Sequence, residues 1–127
     1  MAQYIDGNTK TFTAAAAIPQ YARVTLGSAG TITKSGLAEI DVGTALTEAF
    51  AAGDVIAVKL RTGSGTHKMI ASEAVAIGAL LYTESDGEVQ DTAQATAYVL
   101  GHAMEAATAD QDIIEVLYGA HGDTAAT

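Results

Sequence analysis

Two stretches decide the fold: Asp54-Val55-Ile56-Ala57-Val58-Lys59-Leu60 and Asp112-Ile113-Ile114-Glu115-Val116-Leu117-Tyr118. Each is a β-branched run with partial period-2 alternation, bounded by turn or polar residues, the pattern of a strand with one buried face. They also resemble each other, and the likeness extends outward. Ahead of each run stands a glycine at the same distance, Gly43 in one case and Gly101 in the other. Around these glycines Leu46 aligns with Met104, Val55 with Ile113, Ile56 with Ile114 and Val58 with Val116, at an offset of 58. Further upstream the offset is 57, where Ile18 meets Val75, Val24 meets Leu81, Gly30 meets Gly87 and Ile32 meets Val89. The chain therefore reads as a duplication with one inserted residue in the second copy.

Each unit reads as short strands. Residues 22–26 and 79–83 form equivalent strands, each followed by a turn, Gly27-Ser28-Ala29-Gly30 and Glu84-Ser85-Asp86-Gly87. The second turn, between an apolar run and Glu88-Val89-Gln90, marks a hairpin. Thr11-Phe12-Thr13 and Lys68-Met69-Ile70 open the two units. Residues 46–52 and 104–109 have helical propensity but are too short for a persistent helix, so each is expected to be a turn or single helical turn. Strands at roughly ten-residue spacing with turns between them predict an all-β class, a small β-sandwich or barrel-like domain built from two similar units. The expected organisation is one domain over 1–127: an N-terminal arm of about 1–13, unit one at about 11–60, unit two at about 68–118 and a tail of 119–127.

Composition narrows the function. The 127 residues hold 15 Asp+Glu against 6 Lys+Arg, for a net charge of −9, which disfavours nucleic acid as a partner. All six bases precede Met69, where the balance is +1, whereas the remainder carries ten acids and no Lys or Arg. This asymmetry suits either a solvated acidic face or docking against a basic partner or a neighbouring subunit's less acidic half. The longest nearly uninterrupted apolar stretch, 74–82, is far short of the roughly 20 residues of a membrane helix, so no membrane partner is expected. The first residues lack the basic start and apolar run of a secretory signal, so the chain is expected to work in the compartment where it is made. Absence of Cys excludes disulfides and thiolate chemistry. The apolar residues are mostly Ala, so the core must be thin, and stability is expected to need help from a partner subunit.

No catalytic, metal or cofactor residues are expected. His67, His102 and His121 lack metal-ligand spacing. Asp110 and Asp112 begin like a calcium loop, but the remaining ligands do not follow. Gly63-Ser64-Gly65-Thr66-His67-Lys68 departs from a phosphate loop, with Met69 where a hydroxyl is needed, and reads as a linker between units. Lys68 lacks the flanking pattern of a biotinyl or lipoyl lysine, and no Gly-x-Ser-x-Gly elbow is present.

Over residues 9–119 the chain resembles the small tailed-phage capsid cement proteins, also called head decoration proteins. The likeness rests on Ala76-Ile77-Gly78-Ala79-Leu80-Leu81-Tyr82, Gly87-Glu88-Val89, Gly101-His102-Ala103-Met104-Glu105-Ala106 and Asp112-Ile113-Ile114-Glu115-Val116-Leu117. The earlier copies, Val42-Gly43-Thr44-Ala45-Leu46 and Asp54-Val55-Ile56-Ala57-Val58, follow the same template, whereas the Ala14-Ala15-Ala16-Ala17 run departs from it. The resemblance implies a β-tulip-like, non-enzymatic structural protein on the outer surface of an icosahedral phage head. It further implies binding to the major capsid protein after shell expansion, commonly as a homotrimer at three-fold and quasi-three-fold positions, and synthesis in the host cytoplasm. In such proteins an N-terminal segment often adds a strand to the shell. Here that segment is residues 3–13, which makes Tyr4, Ile5, Lys10, Thr11 and Phe12 the expected capsid-contact residues. The competing reading is a small ligand- or glycan-binding β module of a larger assembly, which would need a concave site using Tyr21, Tyr82, Tyr98 or Tyr118 for stacking.

Overall fold

The computed structural model describes residues 7–119. Ten strands run in order: β1 (Thr9–Thr13), β2 (Arg23–Leu26), β3 (Ile32–Lys34), β4 (Gly43–Ala45), β5 (Val55–Leu60), β6 (His67–Ile70), β7 (Leu80–Thr83), β8 (Val89–Gln90), β9 (Val99–Ala103) and β10 (Ile113–Tyr118). They form two antiparallel five-stranded sheets, β1-β5-β4-β2-β3 and β6-β10-β9-β7-β8. The fold is all-β with two similar units, as the strand patterns predict.

The likeness between units reaches individual residue pairs. Phe12 faces Ile56 in one sheet and Met69 faces Ile114 in the other. Arg23 faces Thr44 as Leu80 faces His102. Gly43 faces Leu60 as Gly101 faces Tyr118. These pairs are related by the same offsets that align the sequence. The two glycines share a cause, because a Cβ on Gly43 would strike the Lys59 carbonyl oxygen and one on Gly101 would strike that of Leu117.

Each sheet curls on itself. Just past β1, Ala14 bridges Ile32 in parallel, and Ala15 N–H donates to the Ile32 carbonyl at 2.9 Å. Ala71 bridges Val89 in the same way, with Ser72 N–H donating to Val89 at 2.9 Å. These bridges join the two ends of the strand order, so each unit is barrel-like.

Residues 46–52 and 104–109 are bends and isolated bridges without helix. In each, one aspartate holds the turn. Asp54 Oδ2 accepts from Phe50 and Ala51 N–H at 2.8 and 3.2 Å, and Asp112 Oδ2 accepts from Thr108 and Ala109 N–H at 2.8 and 3.2 Å. A side chain that satisfies two backbone donors locally favours the turn over a helix that Ala and Glu alone would allow.

The apolar interior is split. One cluster gathers Ala14, Ile18, Val24, Ile32, Ile56 and Val58 with their neighbours, and another gathers Met69, Leu81, Val89, Leu100, Ile114 and Val116. The expected thinness of the core thus takes the form of two small cores, with a different kind of contact between them.

Candidate assembly surfaces

Apart from Ile70 of β6, which packs into the first core, the joint between the units is largely polar. Arg23 opens β2 and is fully buried, with its guanidinium aimed across the joint. Its Nε donates to the Glu88 carbonyl at 3.0 Å, its Nη2 to the Glu84 carbonyl at 2.7 Å and its Nη1 to Asp41 Oδ2 at 3.3 Å. Asp41 Oδ1 accepts from the Tyr118 hydroxyl at 2.7 Å. The Tyr118 ring meets His67 edge to face at 4.6 Å between centroids, and His67 Nε2 lies 3.0 Å from the Leu60 carbonyl. Burial, followed by the Asp41 charge, pushes the Tyr118 hydroxyl well above its ordinary titration range. Thr83 donates to the Leu37 carbonyl at 2.6 Å, and Gly87 N–H to the Ser35 carbonyl at 2.8 Å. A buried charge needs a partner and filled hydrogen-bonding positions, and this network supplies both. Arg23 and Asp41 were not singled out in the sequence, although Arg23, between Ala22 and Val24, is a lone charge in an apolar run.

Of the expected capsid-contact residues, Tyr4 and Ile5 lie outside the described residues. Lys10, Thr11 and Phe12 lie in β1, which pairs along its whole length with β5 and has no other strand neighbour in its sheet. The inner part of the expected arm is therefore a strand of the fold, and an arm has only the residues before β1 to draw on. Asn8 is also engaged, since its carbonyl accepts from Leu60 N–H at 2.8 Å. Phe12 packs against the first core, and the Lys10 ammonium lies 5.1 Å from its ring centroid. Thr11 is exposed. Beside β1 runs a groove of about 380 Å³, walled by Lys10, Phe12, Leu26, Gly30 and Val55.

A second groove, of about 470 Å³, is lined by Thr66, Lys68, Glu105, Ile113, Ile114 and Glu115, with no aromatic side chain among them. Tyr118 belongs to the joint, and the Tyr21 ring sits 5.4 Å from the Lys68 ammonium. None of Tyr21, Tyr82, Tyr98 and Tyr118 lines either groove.

Two of three comparisons with known proteins find a match. A family model described as phage cement protein matches residues 4–118. Among solved structures, the chain is similar to the head fiber gp8.5 N base of bacteriophage phi29, with a TM-score of 0.71, 20% identity, and coverage of 87% of this chain and 92% of that one. No curated protein sequence matches.

Proposed function

The chain belongs to the phage cement protein family, and on that premise we propose that it binds the outer surface of an icosahedral phage head and stabilises the expanded shell. Its part in the phage is that of a structural, decorating component of the capsid. The family match over residues 4–118 carries the proposal, because it takes in both units and the joint between them.

Within that role the partner is the major capsid protein, the working form is a homotrimer at three-fold and quasi-three-fold positions, and no catalysis is involved. The protein is made in the host cytoplasm and joins the shell from outside. Two small cores support a need for partners, since whatever binds only the folded state stabilises it by mass action. Repeated attachment around one particle makes modest affinity at each site sufficient. The segment ahead of β1 supplies the strand that augments the shell, and the β1 edge and its groove lie next to that attachment.

Cosedimentation tests the proposal. The protein should pellet with expanded shells and stay in the supernatant with unexpanded ones. A variant lacking residues 1–7 should fold normally and lose shell binding. Equal binding to both shell forms, or to neither, would overturn the proposal, and undiminished binding of the truncation would remove the arm from it.

A further inference from the structure

Gly30 and Gly87 occupy the same place in the two units, each in left-handed backbone with φ of 84° and 73°. One is covered and the other open. A Cβ on Gly87 would lie 2.8 Å from the Arg23 carbonyl oxygen and 2.9 Å from Ala22 Cβ, while nothing lies within 4 Å of such an atom on Gly30. The same contrast runs through the whole joint. Inside the chain, the turn after β7 in unit two seats on the face of unit one that carries Ala22, Arg23 and Thr44. The corresponding turn of unit one, after β2, faces open space, and so does the corresponding face of unit two.

That face is a cross-strand row. Leu80 of β7 faces His102 of β9, which faces Leu117 of β10, in the register of Arg23, Thr44 and Lys59. Arg23 and Thr44 are 0% and 1% exposed, whereas Leu80 and Leu117 are 39% and 43% exposed. On the opposite side, Thr83 is 1% exposed in the joint and its counterpart Leu26 is 47% exposed at the groove. At Arg23, which becomes Leu80, and at Thr83, which becomes Leu26, the open surfaces depart from the joint in the same direction, while Thr44 becomes His102. An apolar residue replaces a polar one on both sides of the contact.

We infer that the Leu80–His102–Leu117 face of one copy seats the Leu26–Gly30 turn of a second copy, repeating head to tail between chains the joint that each chain makes within itself. This rests on the proposed self-association and names the surfaces that perform it. Charge selects this arrangement over a two-fold one. Head-to-tail contact sets the half with net +1 against the half with ten acids, while a face-to-face pair would oppose ten acids with ten. Lys10 stands in the register position of His67, and the Leu60 that His67 meets corresponds to Tyr118, so a lysine enters at the end of the neighbour's acidic unit. Contacts of this heterologous kind close into a ring when the rotation between units divides a full turn, which a homotrimer requires.

The chain has no cysteine, so single thiols report the contact without interference. Ala22 against Gly87 corresponds to Ala79 of one copy against Gly30 of the next. Ala79→Cys and Gly30→Cys variants, mixed and oxidised, should give a heterodimer joined through residues 79 and 30 by peptide mass spectrometry, which neither variant forms alone. Independently, Leu80→Asp and Leu26→Asp should each weaken self-association by about tenfold or more in light scattering, with unchanged circular dichroism. A wild-type oligomer that shows no 79–30 cross-link and tolerates Leu80→Asp overturns the inference and leaves self-association standing. A chain that stays monomeric throughout overturns both, and shell cosedimentation, scored separately, decides the capsid role.

Discussion

Arg23 Nη1 and Asp41 Oδ2 meet at 3.3 Å with side chains 0% and 2% exposed, so an ion pair within unit one lies enclosed at the joint with unit two. Each partner has other bonds to keep: Arg23 holds two carbonyls of unit two, and Asp41 holds the Tyr118 hydroxyl. Removing Asp41 would leave the guanidinium buried without its counter-charge.

Asp41→Ala should therefore destabilise the protein by about 3 to 5 kcal/mol, read as a lower urea midpoint. Tyr118→Phe, which removes one hydrogen bond to a charged acceptor, should cost about 1.5 to 3 kcal/mol. Equal effects of the two changes would show that the charge of Asp41 contributes nothing beyond its bond to Tyr118.

Gly43→Ala and Gly101→Ala should each block the pairing that the glycine permits, because the added methyl collides with the backbone carbonyl of Lys59 or Leu117. Overpacking against a backbone atom that cannot rotate away should cost about 3 kcal/mol or more in either unit. Soluble expression and thermal melting check this, with Gly7→Ala, where the added atom meets nothing within 4 Å, as the neutral control.

His67 gives the joint a pH dependence. Burial, assisted by the Lys59 charge, holds its pKa below the ordinary 6.5, against opposing effects of the Leu60 carbonyl and Asp41. The unfolded chain then binds a proton that the folded chain refuses. This contribution to stability is complete above about pH 6.5 and is lost as pH falls from there towards the lowered folded value. Urea midpoints between pH 8 and pH 5 should decline for the wild type, and His67→Gln should flatten the decline.

Asp112 supplies an effect at lower pH. Hydrogen bonds from Thr108, backbone first and hydroxyl second, hold its carboxyl below the ordinary carboxylate value. The stabilisation is present above that ordinary value and disappears as acid protonates the folded group. Asp112→Asn should lower the melting temperature at neutral pH and shrink the difference from wild type in strong acid.

Much of the architecture was legible because strand pairing leaves a periodic trace. The runs at 54–60 and 112–118 became β5 and β10, and the offsets of 57 and 58 relate the ladders of the two sheets. Helix propensity in 46–52 misleads because its arbiter, the Asp54 carboxylate, lies outside the stretch and acts through two backbone donors. The joint was harder to read. Arg23, Asp41 and Tyr118 lie 18 and 77 residues apart in chain order, and no local pattern pairs them. The candidate site was legible in part: Lys10, Thr11 and Phe12 do lie on an edge, but their place in a complete strand depends on partners in β5 some 46 residues away.

Two units with interchangeable registers also pose a sorting problem during synthesis. When β10 emerges, both β1 and β6 offer it the same ladder, and misassembly between similar units is a characteristic hazard of such chains. Order of emergence helps, because β5 is complete and can capture β1 before β10 exists. Side-chain divergence does the rest: Phe12 packs in the first core, and Met69, fully buried, fills the matching place in the second. The differences between the halves act as addresses as well as surfaces, and making the units more alike would slow the search for the correct partner strand.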